Sequence, residues 1–201
     1  GRAEFLVRTS DGTRDGVGNI IGDSLADYRH RAPENAPNPN PEQEWGKYNK
    51  QGRPMTGRIL SGNEYITVFN GLTGAAMDTK PYIPARGNLV DWGDNYANRS
   101  DRMLAAVGYL DGKHASAIFC RGYYTRTVIA AWDWDGKQLK LHWVFDTNDE
   151  GTGKDGKPQS SYAGQGNHNL RVADVDGDGC DEITYGSMAV DHDGLGLYNT
   201  G

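Results

Sequence analysis

The sequence has little of what marks several common classes of protein. It contains only two cysteines, Cys120 and Cys180, and their spacing neither demands nor excludes one disulfide. Its longest hydrophobic runs of note are VIAAW at 128–132 and AAVGYL at 105–110. Both are far too short to cross a bilayer, so we expect no membrane span.

Positive charge is also scarce. The 21 Lys and Arg residues are outnumbered by 27 Asp and Glu residues, which gives a formal net charge of −6. A nucleic-acid-binding protein needs a basic face that displaces counterions, so we expect no nucleic acid partner. An anionic ligand is not excluded, because bound divalent cations can invert the local field.

Helical periodicity is rare. The best helical candidate is SDRMLAAVGYL at 100–110, which would place Met103, Leu104 and Val107 on one face. Against it stand 28 glycines, 11 tyrosines and five tryptophans, a composition that favours short strands joined by tight turns. The sequence therefore predicts an all-β fold.

Strand patterns fill most of the chain. TVIAAWDWDGKQLKLHWVFD at 127–146 predicts a hairpin that turns at Asp135 and Gly136. No linker divides residues 1–201 into independent domains, and the proline-rich stretch at 31–54 is interpreted as a polar surface loop.

One acidic stretch, DVDGDGCDE at 174–182, has the spacing of a loop that binds a hard cation. Oxygen ligands at positions 1, 3 and 5 precede a glycine at position 6, which supplies the bend.

An EF-hand also needs Glu at position 12, where this chain has Tyr185, and it needs flanking helices where this chain has a strand. Glu182, at position 9, is expected to complete the shell. We predict a structural Ca²⁺ site of the kind found between propeller strands; the alternative is a solvated acidic turn. The predicted ligands are Asp174, Asp176, Asp178, the carbonyl of Cys180, and Glu182.

Other acidic loops are weaker metal candidates. DWGDNYANRSD at 91–101 offers Asp91, Asp94 and Asp101, and AVDHDG offers Asp191. For each of them an Asx turn, in which the carboxylate satisfies its own backbone, explains the pattern equally well.

Several segments together resemble one family. They are TSDGTRDGVGNIIGDSLADYR (9–29), ILSGNEYITVFNGLTG (59–74), WGDNYANRSDRMLAAVGYLDG (92–112), RGYYTR (121–126) and GQGNHNLRVADVDGDGCDEITYGSMAVDHDG (164–194). In this order they resemble the rhamnogalacturonan lyases of polysaccharide lyase family 11. The resemblance implies an eight-bladed β-propeller with many structural calcium ions. Because members of that family are much longer, we expect this chain to be a fragment of about three blades.

The same resemblance implies a substrate and a reaction. The substrate would be rhamnogalacturonan I, a pectic polysaccharide, and the bond between rhamnose and galacturonic acid would be broken by β-elimination. Such a substrate implies a secreted, cell-surface or periplasmic protein, with the remainder of the propeller as its structural partner. One calcium ion could also lie at the active site. Whether cleavage is endolytic or exolytic, and which residue is the catalytic base, stay open.

Candidate residues for the active cleft come from two short motifs. The resemblance implies that His168 lines the cleft together with its neighbours Asn167 and Asn169, either as a calcium ligand or as a substrate contact. The alternative is a structural histidine that is hydrogen-bonded within a blade turn. RGYYTR adds Arg121, which can pair with a carboxylate, and Tyr124, which can stack on a sugar face. Strand alternation would put Arg121 and Tyr123 on one face and Tyr124 and Arg126 on the other, so at most one pair reaches a cleft.

Two other functions fit parts of the pattern. A non-catalytic calcium-dependent propeller for adhesion or carbohydrate binding would need the acidic loop but neither GNHN nor RGYYTR. A glycoside hydrolase of propeller fold would need two carboxylates facing each other across the scissile bond, and the sequence singles out no such pair.

Overall fold

The computed structural model describes residues 3–31, 52 and 54–200, and in this part of the chain it contains strands and two short 3-10 helices but no α-helix. The predicted all-β class is therefore confirmed. Most of the proline-rich stretch predicted as a surface loop lies outside the described residues. Two compact units follow one another along the chain, Gly1–Asp101 and Arg102–Gly201.

The first unit contains the strands β1 Glu4–Ser10, β2 Thr13–Arg14, β3 Ile20–Ile21, β4 Glu64–Asn70 and β5 Ala76–Pro81, followed by a 3-10 helix at Leu89–Trp92. Three of them form an antiparallel sheet with the strand order β1-β4-β5. The other two, β2 and β3, form a hairpin that lies between β1 and β4 in the sequence.

Two polar networks stabilise this unit. Glu64, at the start of β4, accepts a hydrogen bond from the buried guanidinium of Arg86 at 2.8 Å, and Arg86 also pairs with Asp101 at 2.6 Å. The second network converges on the carboxylate of Asp11. It accepts hydrogen bonds from the hydroxyls of Tyr28 (2.6 Å) and Tyr65 (2.8 Å), and also from the Asn63 amide and the Asp23 backbone.

The second unit contains two four-stranded antiparallel sheets, each with its strands in sequence order. The first sheet comprises β6 Met103–Gly108, β7 Ser116–Arg121, β8 Val128–Trp134 and β9 Leu139–Asp146. The second comprises β10 Leu170–Ala173, β11 Glu182–Tyr185, β12 Met188–Val190 and β13 Gly196–Asn199, and a 3-10 helix at Gln159–Tyr162 precedes it.

One apolar core joins the two sheets of this unit. It includes Ile118 and Ile129 from the first sheet, Ile183 and Val190 from the second, and Tyr162 from the 3-10 helix. Burying such side chains is the main favourable contribution to folding, so the two sheets stabilise each other.

The hairpin predicted over 127–146 is confirmed as β8 and β9, which pair antiparallel from Val128↔Asp146 to Trp134↔Leu139. The helical candidate at 100–110 is wrong, because Met103–Gly108 is strand β6, paired with β7. Leu104 and Ala106 pack against the core whereas Val107 is 63% exposed. This alternation has a period of two residues, and a helical face would have buried Val107 together with Leu104.

Candidate functional site

The acidic loop lies at one end of the β10–β13 sheet, where the topology brings a second acidic segment to it. β11 and β12 form an antiparallel hairpin in which Ile183 pairs with Val190. The residues just before β11 and just after β12 must therefore lie at the same end of the sheet. This places Glu182 beside Asp191, with the 174–181 loop next to them.

Local hydrogen bonds give the loop its curvature. The Asp174 carboxylate accepts from the backbone N–H groups of Gly177 (2.7 Å) and Gly179 (3.1 Å), so the chain folds back over its first acidic residue. Both glycines have positive φ, 85° and 94°. That conformation is costly for residues with a Cβ atom, which is why glycine is needed at these two positions.

The carboxylates of the loop converge. Oxygen atoms of Asp174, Asp176 and Glu182 lie within 4.8 Å of one another, and so do those of Asp176, Asp178 and Asp191. The structure thus brings together all four predicted side-chain ligands of the loop and adds Asp191, which the sequence suggested only as a separate, weaker candidate. The carbonyl of Cys180 stays a predicted ligand.

Glu182 is the most informative member of this cluster, because it is 0% exposed. Its Oε2 accepts a hydrogen bond from Val175 N at 2.7 Å, whereas Oε1 has no hydrogen-bond partner among the described residues. Burial, and then the charges of Asp176 and Asp191, raise the pKa of the Glu182 carboxyl. A buried carboxylate oxygen without a donor is costly unless a cation contacts it, so these residues fit a bound hard cation.

Lys154 supplies one positive charge at the edge of the cluster. Its ammonium group contacts Asp191 and lies 2.9 Å from Asp193. Burial raises the pKa of Asp191, but hydrogen bonds from Lys154 and from the His192 backbone outweigh it, and the pKa is lowered overall. The protein therefore compensates the negative charge of Asp191 better than that of Glu182.

The other weak acidic candidates behave differently. Both carboxylate oxygens of Asp94 accept backbone N–H groups, including that of Arg99 at 2.9 Å, as an Asx turn requires. Asp101 pairs with Arg86, and Asp91 lies in the 3-10 helix at Leu89–Trp92. Within the described ranges no group of three acidic, histidine or cysteine ligands forms there.

A second candidate site is an exposed pair formed by Tyr124 and His168. The Tyr124 hydroxyl lies 3.1 Å from His168 Nε2, although the two motifs are 44 residues apart. Tyr124 is 48% exposed, and Asn167, His168 and Asn169 are all exposed. The Asn167 side chain accepts a hydrogen bond from His168 N at 2.7 Å, which orients the loop.

Close packing holds this loop in place. The Tyr123 ring meets the His168 ring edge to face, with centroids 5.0 Å apart. A Cβ atom on Gly166 would lie 2.8 Å from Tyr123 Cα, so only glycine lets the loop approach so closely. The exposed pair therefore packs on a buried tyrosine ring.

Strand alternation does not apply to most of the RGYYTR motif, because β7 ends at Arg121 and residues 122–127 connect it to β8. Burial nevertheless divides the motif. Arg121 is 0% exposed and Tyr123 is buried, whereas Tyr124 is turned outward. Arg126 is held by Asp146, to which its Nε donates at 3.0 Å. As a correction to the list of cleft candidates, Arg121 lies in the interior and is not available to a polysaccharide in this structure.

Neither cysteine forms a disulfide. Cys120 is buried in the core, and burial raises the pKa of its thiol to about 11. Cys180 is partly exposed at the acidic loop.

Comparison with known proteins assigns the chain to a family. The family model described as "Rhamnogalacturonan lyase family 11, C-terminal domain" matches residues 41–201. The chain belongs to rhamnogalacturonan lyase family 11. This family membership agrees with the resemblance carried by the GNHN and acidic-loop motifs.

Two relatives from Bacillus subtilis (strain 168) match the whole chain. It is 53% identical to the rhamnogalacturonan exolyase YesX and 49% identical to the rhamnogalacturonan endolyase YesW. The chain spans only 28% and 27% of their respective lengths.

Solved structures of this family have the same fold. The crystal structure of the exotype lyase YesX matches 98% of the chain with a TM-score of 0.77 at 52% identity, covering 27% of that chain. A rhamnogalacturonan lyase PL11 from Bacillus licheniformis matches equally well, with 28% of its chain covered.

Proposed function

We propose that this chain is part of a rhamnogalacturonan lyase that cleaves the rhamnose–galacturonic acid bond of rhamnogalacturonan I by β-elimination. The observation that carries the proposal is the identity of about one residue in two, over the whole chain, to lyases named for that substrate. An exolyase and an endolyase are almost equally similar, so we leave the mode of cleavage out of the proposal.

The reaction makes specific demands on a site. A base must remove the proton at C5 of the galacturonate, while the sugar oxygen at C4 leaves. The C5 proton is weakly acidic as long as the neighbouring carboxylate keeps its full charge. Positive charge or hydrogen-bond donors must therefore neutralise that carboxylate as the enolate-like dianion develops.

The Tyr124–His168 pair is the part of this chain that we propose contacts the polysaccharide. A phenol and an imidazole, both exposed, can donate to and accept from sugar hydroxyls or a carboxylate. The fixed position of His168 on Tyr123 limits the entropy lost on binding.

We further propose that the acidic loop holds a structural Ca²⁺ ion. The ligands would be Asp174, Asp176, Asp178 and Glu182, with the Cys180 carbonyl, and Asp191 would join them from the neighbouring turn. The unpartnered Oε1 of buried Glu182 supports this assignment. The ion would neutralise the carboxylate cluster and fix the loop to the sheet.

The propeller is also a proposal. Antiparallel four-stranded sheets with strands in sequence order, such as β6–β9 and β10–β13, are typical of propeller blades. We propose that these sheets are blades of an eight-bladed propeller that the remainder of the protein completes, and that the protein is secreted to reach its substrate.

One assay tests the proposed reaction. The intact protein is incubated with rhamnogalacturonan I and Ca²⁺, and the absorbance of unsaturated uronate and the release of reducing ends are followed together. β-Elimination raises both. Reducing ends without the absorbance would mean hydrolysis, and binding without any cleavage would mean a carbohydrate-binding propeller; either result overturns the proposal.

A further inference from the structure

A thiol and an imidazole lie next to the carboxylate cluster. Ligand atoms of Asp178, Cys180 and His192 are within 4.8 Å of one another. Cys180 belongs to the β10–β11 loop and His192 to the β12–β13 turn. The hairpin register, in which Ile183 pairs with Val190, brings these two segments to the same end of the sheet.

Their chemistry differs from that of the calcium ligands. Ca²⁺ takes oxygen ligands almost exclusively, whereas Zn²⁺ binds thiolate, imidazole and carboxylate groups, usually in a tetrahedron. With zinc–ligand bonds of about 2.0–2.3 Å, neighbouring ligand atoms in a tetrahedron are about 3.3–3.8 Å apart. His192 Nδ1 lies 3.4 Å from Asp178 Oδ2, which is within this range.

The backbone around the three side chains is fixed. The His192 carbonyl accepts a hydrogen bond from Trp143 Nε1 at 2.8 Å, and its N–H donates to Asp191 at 2.6 Å. Cys180 N donates to Asp178 Oδ1 at 2.8 Å, so the other oxygen of Asp178 is the one near the imidazole. The backbone thus holds the three ligand groups within 4.8 Å of one another.

The imidazole nitrogen itself is shielded from solvent. His192 Nδ1 makes no well-directed hydrogen bond in the described part of the chain, although it lies 2.7 Å from Asp191 Oδ1. The competing explanation is a protonated imidazole that pairs with the surrounding carboxylates and binds no metal. That explanation leaves the Cys180 thiol without a role.

We infer that Asp178, Cys180 and His192 form a zinc site next to the proposed calcium site, with a water molecule as fourth ligand. The thiol and the imidazole would bind zinc alone, whereas the Asp178 carboxylate would be shared with the calcium ligands. Zinc would link the β10–β11 loop to the β12–β13 turn, and the stabilisation of the folded state would grow with the logarithm of the zinc concentration above its dissociation constant. Zinc binding would displace the proton of the Cys180 thiol. The inference does not depend on the lyase reaction.

Cobalt is the probe for this site, because a thiolate bound to Co²⁺ gives a charge-transfer band in the near ultraviolet. The intact protein is first saturated with Ca²⁺ and then titrated with Co²⁺. We expect the band to appear in the parent and in Cys120→Ser, to be lost in Cys180→Ser, and to be bleached by Zn²⁺. Cys120→Ser is the matched control, since that thiol is buried in the core. A band that is absent from the parent, or unchanged in Cys180→Ser, overturns the inference.

Two further measurements keep the inference testable if a variant folds poorly. In calorimetry with Ca²⁺ present, His192→Gln should bind Zn²⁺ at least about tenfold more weakly than the parent. In the parent, Zn²⁺ should slow alkylation of Cys180 by iodoacetamide, measured by mass spectrometry of the modified peptide. Equal affinity in His192→Gln, or equal alkylation with and without Zn²⁺, contradicts the site.

Discussion

The hydroxyl of Tyr124 lies 3.1 Å from Nε2 of His168, on an exposed surface and above the buried ring of Tyr123. The two residues come from motifs that sequence analysis identified separately. Their contact forms one exposed polar surface, which is the surface that we propose contacts the polysaccharide.

The first prediction concerns that surface. His168→Ala in the intact protein should lower the rate of unsaturated uronate formation by about 10- to 100-fold, since a hydrogen bond to a charged substrate is worth about 1.5–3 kcal/mol. Calcium-dependent thermal stability should stay the same. His142→Ala is the control, because that exposed histidine lies on β9 and pairs with Asp133 on β8, outside both motifs. If His168→Ala retains full activity, the residue has only a structural role.

The second prediction concerns the acidic loop. Asp176→Ala should lower the melting temperature measured in Ca²⁺ by about 5 °C, because the folded state loses the stabilisation that the bound ion provides. A chelator should then lower the melting temperature of the variant by less than it lowers that of the parent. Asp149→Ala, at an exposed position outside the cluster, is the matched control. Equal sensitivity to the chelator in Asp176→Ala and the parent would argue against a cation at this loop.

The third prediction concerns the buried ion pair of the first unit. Arg86 and Glu64 have side chains that are each only 4% exposed. Arg86→Met should therefore lower the free energy of unfolding by about 3–5 kcal/mol, since it leaves the Glu64 charge buried with less compensation. Arg29→Met removes an exposed ion pair with Asp27 and should change the free energy of unfolding by about 1 kcal/mol or less. Denaturant unfolding of both variants measures the difference, and similar losses would contradict the importance of burial.

The fourth prediction concerns acid stability. Hydrogen bonds from Tyr28 and the Asp23 backbone, with smaller contributions from Tyr65 and Asn63, lower the pKa of Asp11 below its ordinary value of 3.8. A lowered pKa in the folded state means that Asp11 stabilises the fold above pH 3.8 and that this contribution is lost as the pH falls through the lowered pKa. Asp11→Asn should thus have a lower free energy of unfolding than the parent at neutral pH, and the difference should shrink as the pH falls. Denaturant titrations at several pH values measure this difference, and a difference that does not change with pH would contradict the prediction.

The sequence predicted the fold class, the β8–β9 hairpin and the curled acidic loop, because each depends on local spacing. The sequence did not predict that Met103–Gly108 is a strand. This short apolar run fits both a helical and a strand period, and only its pairing with β7 decides between them. Nor did the sequence assign Asp191 and His192 to the loop at 174–182. The two-residue turn at Gly186 and Ser187 was the signal that could have done so, because it fixes which residues of β11 and β12 face each other.

The burial of Arg121 could not be read from the sequence either. An arginine beside two tyrosines has the composition of a sugar-binding motif, and alternation says only that it shares a face with Tyr123. Which face is covered depends on the packing of one sheet against the next, and that is a property of the tertiary structure.

The hairpin formed by β11 and β12 has a further consequence for the order of folding events. All the proposed calcium ligands lie within residues 174–191, so closing the site requires only short loops and a two-stranded turn. Contacts of short sequence separation form early and at low entropic cost. We therefore expect calcium to increase the folding rate of this region, acting as a nucleus around which the later, long-range sheet contacts assemble.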